Sequence, residues 1–312
     1  MPTINYNAAL PPDIYTQVGV GSINIGNYIN SLKVNLNQLI TLLFANSEQG
    51  FTQTLDDYSI LFQDAAGTTA LTGAGQTLGL VLDKSKGLVL GSELVGDPSF
   101  NNPAYWSVAS GVSVSGGNAV FTNASSGNGL SKNGLTTLGK TYKVVVNVAS
   151  ITSGSLVVLT GVGTGSLLSP NITSAGTYTF LLPALGTVAI VRINSNNTST
   201  NAIVSDISIK EISGNHSYQT TSSYRPLLQN TPRRVQYDGF DDKLTTTLAA
   251  QLTGCTVIRA IPNVGCQILI NQTIPTTYND STSHCGLIVI NRALTAYETS
   301  QLTQIFNKLA GV

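Results

Sequence analysis

Apolar residues recur along this chain at two different periods. Ile25, Ile29, Leu32, Leu36, Leu39 and Leu43 are spaced 4, 3, 4, 3 and 4 residues apart, the rhythm of a heptad seam on one face of a helix. Val34, Ile40, Leu42 and Phe44 widen that face, and Lys33 is the one charged residue between Ile25 and Ala45. A helix so short of charge is buried on several sides. Two partners fit: further copies of the chain, giving a homotrimer through the six seam residues, or the chain's own domain.

Beyond Tyr58 the period changes to two. Val112 and Val114 alternate with serines, Tyr142, Val144, Val146 and Val148 put one apolar face inward, and Ile203, Ile207 and Ile209 do the same with Asp206 and Ser208 opposite. Leu156–Leu159, Tyr178–Leu182 and Val188–Ile193 fall between them. Gly, Asn, Ser and Asp clusters separate the runs, which is the signature of an all-β sandwich or jelly roll. Later strands are expected at Cys255–Ile258, Gln267–Ile270 and Gly286–Ile290. A closing helix has both ends written out: Thr295 and Glu298 as a capping box, Leu302, Ile305, Phe306 and Leu309 as its apolar face, and Gly311 at the C-terminal cap. Residues 1–24 hold no clear period, and Pro11-Pro12 blocks a helix, so an extended arm is expected there.

Composition narrows the function. Only 10% of the 312 residues are charged and the formal net charge is zero, against roughly 25% charged residues in an ordinary domain. No basic stripe offers itself to nucleic acid. No apolar run reaches the roughly 18 residues of a membrane helix, and Met1–Tyr6 lacks the pattern of a signal peptide. Synthesis in a cytoplasm without membrane insertion is the expectation.

Several stretches then resemble known modules. Leu61–Thr69, Gly79–Ser85, Ser223–Leu228, Tyr237–Asp242 and Ile290–Thr295 resemble, in that order, pieces of a laminin-G or concanavalin-like module found in tail-fibre and other virion proteins of tailed bacteriophages. Gly91–Val95, Phe100, Trp106 and Ser205–Glu211 resemble the boundaries of a jelly-roll, carbohydrate-binding-like module. The resemblance implies a mainly β chain with an arm and oligomerisation helix in 1–50, a discontinuous sandwich in 51–90 plus 213–312, and an inserted jelly roll in 91–212. The stretch from Lys243 to Gly286 looks short for a complete outer module, so that sandwich is expected to be abbreviated.

Candidate chemistry is sparse. Asp238, Asp241 and Asp242 surround Gly239 and could form a calcium loop, a glycosidase acid pair or a turn. Calcium wants six to eight oxygens, generally from several loops, and a glycosidase wants two carboxylates across a sugar, whereas Asp and Gly make turns on their own. The turn is the expectation, with no cofactor. Cys255, Cys266, His284 and Cys285 lack the paired spacing of a zinc site. Tyr105 and Trp106 are the glycan-stacking candidates, with a core role for Trp106 as the alternative.

The function expected from all this is a non-enzymatic phage virion protein, a trimeric fibre or spike made in the host bacterial cytoplasm. It would bind bacterial surface polysaccharide, or neighbouring virion proteins through residues 1–24. A capsid decoration with a purely architectural role is the first alternative, and a polysaccharide depolymerase the second.

Overall fold

A computed structural model of the chain describes residues 35–162, 167–185, 188–196 and 199–312. The arm and the seam residues Ile25, Ile29 and Leu32 lie outside them. The first described element is a helix, α1 (Leu36–Leu43), and it starts abruptly. Asn35 is extended (φ −79°, ψ 164°), its side chain accepts from the Gln38 amide at 2.9 Å, and the Gln38 side chain accepts from the Asn35 amide at 3.0 Å. This capping box begins the helix at Leu36, so one unbroken heptad helix does not run from Ile25 to Leu43.

The described half of the seam is used inside the chain. Leu36, Leu39, Ile40, Leu43 and Phe44 are buried against Ile258, Ala260, Ile288, Ile290 and the closing helix, α2 (Ala296–Ala310), through Leu302 and Phe306. Leu36, Leu39 and Leu43, expected to face further copies, therefore meet their own domain. Arg292 fastens the two helices, donating to the Leu43 carbonyl at 3.1 Å and to Glu298 at 2.7 Å and 2.9 Å. Both predicted ends of α2 are present, with the Thr295–Glu298 capping box and Gly311 left-handed at φ +84°.

Between the helices lies the outer unit. One sheet has the strand order Gly50–Thr54, Gly286–Ile290, Leu252–Ile261, Gly265–Ile274, with every neighbour antiparallel. Alternate residues face opposite sides, as a period of two requires. Ile258, Ala260, Ile288 and Ile290 meet the helices, whereas Val257, Leu287 and Val289 meet Phe51, Leu248 and Ile274. That is why Gly286–Ile290 reads as an unbroken apolar run: it is buried on both faces. The second sheet has the order Thr277–Asp280, Leu244–Thr247, Ser217–Tyr218, Leu80–Val81, Leu61–Phe62. A short hairpin, Leu227–Gln229 with Arg234–Gln236, stands beside it. The interval from Lys243 to Gly286 thus carries four strands, because the connections are short: one tight hairpin joins Leu252–Ile261 to Gly265–Ile274, and brief links cross between the two sheets.

Every strand between Ser107 and Ile212 pairs within that span among the described residues. One five-stranded sheet has the order Gly176–Pro183, Thr141–Ser153, Thr200–Ile212, Asn118–Ala124, Val112–Ser115. A four-stranded sheet has the order Ser107–Val108, Gly129–Asn133, Val188–Ser195, Leu156–Val162. Val144, Val146, Ile207 and Ile209 from the first meet Leu130, Val158 and Ile193 from the second in one core.

The chain enters and leaves this inserted sandwich through a narrow neck. Gly91 donates to the Glu211 carbonyl and Ser213 to the Val89 carbonyl, both at 2.9 Å. Below the neck, buried Asp83 accepts from Thr52, Ser85 and Asn215, while its own amide donates to His216 Nδ1 at 2.8 Å. His216 Nε2 reaches the Ile212 carbonyl at 3.2 Å. With Nδ1 accepting, the ring is neutral and protonated at Nε2, and burial depresses its pKa below the usual histidine range.

Candidate functional site

The aspartate loop is a turn that spends its own acid groups. Asp238 Oδ1 accepts from the amides of Phe240 at 2.9 Å and of Asp241 and Asp242 at 3.3 Å, and Asp242 Oδ2 accepts from the Asp238 amide at 3.1 Å. Gly239 takes φ +83°, a value glycine reaches without strain. The amides, that of Phe240 first, hold Asp238 below the usual carboxylate range. Partial burial and then the neighbouring charges push Asp242 up. Ligand atoms of the three carboxylates come within 4.8 Å of one another, yet two of their six oxygens already accept from loop amides, leaving fewer than the six to eight that calcium takes.

Trp106 is not available to a sugar. Its ring is 6% exposed, lies 5.3 Å from the Phe100 ring, and donates through Nε1 to Asp97 Oδ2 at 3.1 Å. The lone tryptophan is a core residue because an indole buries a large area once its N–H has a partner. Tyr105 is half-buried, its hydroxyl accepts from the Gly96 amide at 2.9 Å, and the Lys132 ammonium sits 4.2 Å from its ring centre. A stacking platform at Tyr105–Trp106 is thus corrected to a packing corner.

The cysteines and His284 do not form a metal set. Cys255 packs with Phe51 and Cys285 with the helices, on opposite faces of one sheet. Burial raises all three thiols, Cys285 to about 11, so they stay protonated and unreactive.

His284 instead belongs to a sealed polar network that the sequence did not reveal. Asp280 and His284 have fully buried side chains. His284 Nε2 lies 2.9 Å from Asp280 Oδ2 and 3.0 Å from Gln53 Oε1, Tyr237 donates to Asp280 Oδ2 at 3.0 Å, and Arg259 donates to Asp280 Oδ1 at 3.1 Å. Burial alone would raise Asp280, but His284, Arg259 and Tyr237 outweigh it and hold the carboxyl below its usual range. Burial, then the Asp280 charge, pushes Tyr237 well above the ordinary phenol. An acid–base pair must reach a substrate proton, and this one is enclosed between the sheets.

An open site lies on the other unit. A shallow depression of about 210 Å³ is lined by Ser107, Ser131, Arg192, Asn194 and the glycines Gly127 and Gly129, with Val108 and Leu130 beside them. Strand register builds it. Ser131 stands opposite both Ser107 and Arg192, and Gly129 opposite Asn194, so these residues share one face while Leu130 and Ile193 point into the core. Among the described residues, the side chains of Ser107, Ser131, Arg192 and Asn194 form no hydrogen bond or ion pair within the chain. A Cβ on Gly129 would fall 2.0 Å from the Ile193 carbonyl and 2.4 Å from Asn194 Oδ1, so the floor beside Asn194 stays bare. Sequence reasoning missed this site because none of its residues belongs to a motif. The cross-strand register that gathers them was the missing signal.

Fold and site together define a mainly β protein of two antiparallel sandwich units with a closing C-terminal helix and a polar depression on one sheet. No family model matches the sequence, and no curated protein does. Among solved structures, the N-terminal CBM22-1–CBM22-2 tandem domain of Xyn10C from Paenibacillus barcinonensis is similar at 9% identity and a TM-score of 0.30. That match covers 67% of this chain and 94% of the other. A superposition that loose transfers neither residues nor ligand.

Proposed function

We propose that the chain is a non-enzymatic attachment protein of a bacteriophage particle, and that its inserted sandwich holds one sugar unit of a bacterial surface polysaccharide in the depression around Arg192. The observation that carries this reading is the unspent hydrogen-bonding capacity of Ser107, Ser131, Arg192 and Asn194 on a floor of small residues. Sugar hydroxyls both donate and accept, and these side chains offer both. The volume is below the roughly 300 Å³ at which pockets for drug-sized ligands begin, so one ring fits rather than a whole oligosaccharide. A site so shallow gains from repetition, and several copies on one particle supply it through avidity.

The virion part of the reading rests on the sequence resemblance. In it, residues 1–24 engage a neighbouring virion protein, and Ile25, Ile29 and Leu32 carry the trimer contact. Solution mass tests the trimer: the full chain is expected at three times its monomer mass, and residues 35–312, which keep the Asn35 cap, at once. Equal masses for both would remove the trimer. A glycan array of bacterial surface polysaccharides tests the site, with binding expected for the full chain and lost in Asn194→Ala. A blank array with tight attachment to purified capsids would replace this reading with the architectural one.

A further inference from the structure

Arg192 has a property that a neutral sugar does not explain. Its guanidinium is half-buried in the depression, and no carboxylate lines that space. The inserted span 91–212 contains four acidic residues, Glu93, Asp97, Asp206 and Glu211, and each is engaged elsewhere. Glu93 accepts from the amides of Val95 and Ile209 and from the Ser208 hydroxyl. Asp97 accepts from the Asn101 and Asn102 amides and from Trp106. Asp206 accepts from Ser99, and Glu211 pairs with Lys140 at 3.3 Å. A guanidinium with no carboxylate beside it among the described residues keeps its full fork of N–H donors for an incoming oxyanion.

We infer that the depression takes an oxyanion-bearing sugar, such as a uronic acid or a phosphorylated hexose, with the oxyanion on Arg192. This rests on the saccharide reading above and specifies its ligand. The planar guanidinium presents paired N–H groups that match two oxygens of a carboxylate or phosphate. Ser131 stands directly across from Arg192, with Ser107 beyond it in the same cross-strand row, so two hydroxyls can donate to the same group or to the ring. Asn194, two residues along the strand, is placed for a ring hydroxyl, accepting through its oxygen and donating through its amide.

Calorimetric titration of the full chain tests this, using an oligomer of glucuronic acid, a neutral glucose oligomer of equal length, a hexose phosphate, and polyglutamate as a sugar-free polyanion. The acidic saccharide is expected to bind at least about 10-fold tighter than the neutral one at low salt, with the gap narrowing as salt rises. Arg192→Gln is expected to lose about 10- to 100-fold for the anionic sugar, with Arg192→Lys in between and all melting temperatures unchanged. Whichever of uronate and phosphate binds tighter names the oxyanion, and either one exceeding the neutral sugar supports the inference. Equal binding of acidic and neutral oligomers, untouched by Arg192→Gln but lost in Asn194→Ala, would overturn the oxyanion assignment and leave the saccharide site standing. No saccharide binding at all removes both readings, and polyglutamate binding as tightly as polyglucuronate overturns the sugar.

Discussion

Two polar regions of this molecule use the same kinds of side chain to opposite ends. In the outer unit Asp280, His284, Arg259, Tyr237 and Gln53 are bonded to one another in a closed interior. In the inserted unit Arg192, Asn194, Ser107 and Ser131 face outward with no side-chain bond among the described residues. The first region has the residue types of an acid–base site, and the second has those of an ordinary surface. Unsatisfied capacity that a ligand can reach, rather than catalytic-looking composition, separates a binding site from a structural knot.

The comparison breaks most easily at its closed end. Asp280→Ala leaves Arg259, Tyr237 and His284 facing a cavity, and urea denaturation is expected to show a loss of about 3–5 kcal/mol. A loss below about 1 kcal/mol would mean that the network does not hold the sheets together. Trp106→Ala is expected to cost a similar amount, about 3–5 kcal/mol, through its empty core position. Unchanged stability with lost glycan binding would return Trp106 to the surface as a ligand contact.

Acidification separates the two regions next. His216 has its folded pKa depressed below the 6.5 of a free histidine, and Asp280 below the 3.8 of a free aspartate. A depressed pKa means that the unfolded state binds the proton first, so each group's stabilisation is present above its free pKa and lost below it. Melting temperature is therefore expected to fall from about pH 6.5 downward through His216, and again below about pH 3.8 through Asp280. His216→Gln should remove the first step. Affinity for a uronic-acid saccharide is expected to stay flat between pH 5 and 8, since its carboxylate stays ionised and no residue type lining the depression titrates there. The smallest effects belong to the open surfaces. Arg192→Ala should shift stability by no more than about 0.5 kcal/mol, and a chelator should leave the melting temperature unchanged if the Asp238 loop is only a turn. An upward shift on adding calcium would make it a metal site.

Much of the fold was legible from short-range pattern. Val144, Val146, Ile207 and Ile209 alternate in sequence and share the inserted core, and Thr295, Glu298 and Gly311 bound α2 where their capping chemistry requires. Asp238 and Gly239 form the expected turn. Other features were not legible, because they depend on residues far apart in the chain. Asp83 meets His216 across 133 positions and Gln53 meets His284 across 231, and nothing local marks either partner. The strand Gly50–Thr54 was hidden for a related reason: all five residues are buried, so the two threonines and the glutamine inside it gave no alternation to read.

Sequence alone settled periods, caps and turns: which side chains share a face, where α2 begins and ends, and that 107–212 alternates as sheet. Those follow from backbone geometry over a few residues. Tertiary structure alone decided what each face meets. It sent Leu36, Leu39 and Leu43 into their own domain, enclosed Trp106 and the Asp280–His284 pair, and set Ser107, Ser131 and Arg192 side by side in the open. Helical or strand periodicity fixes the direction of a side chain relative to its own element, and only the packing of distant elements fixes whether protein, water or a ligand waits there.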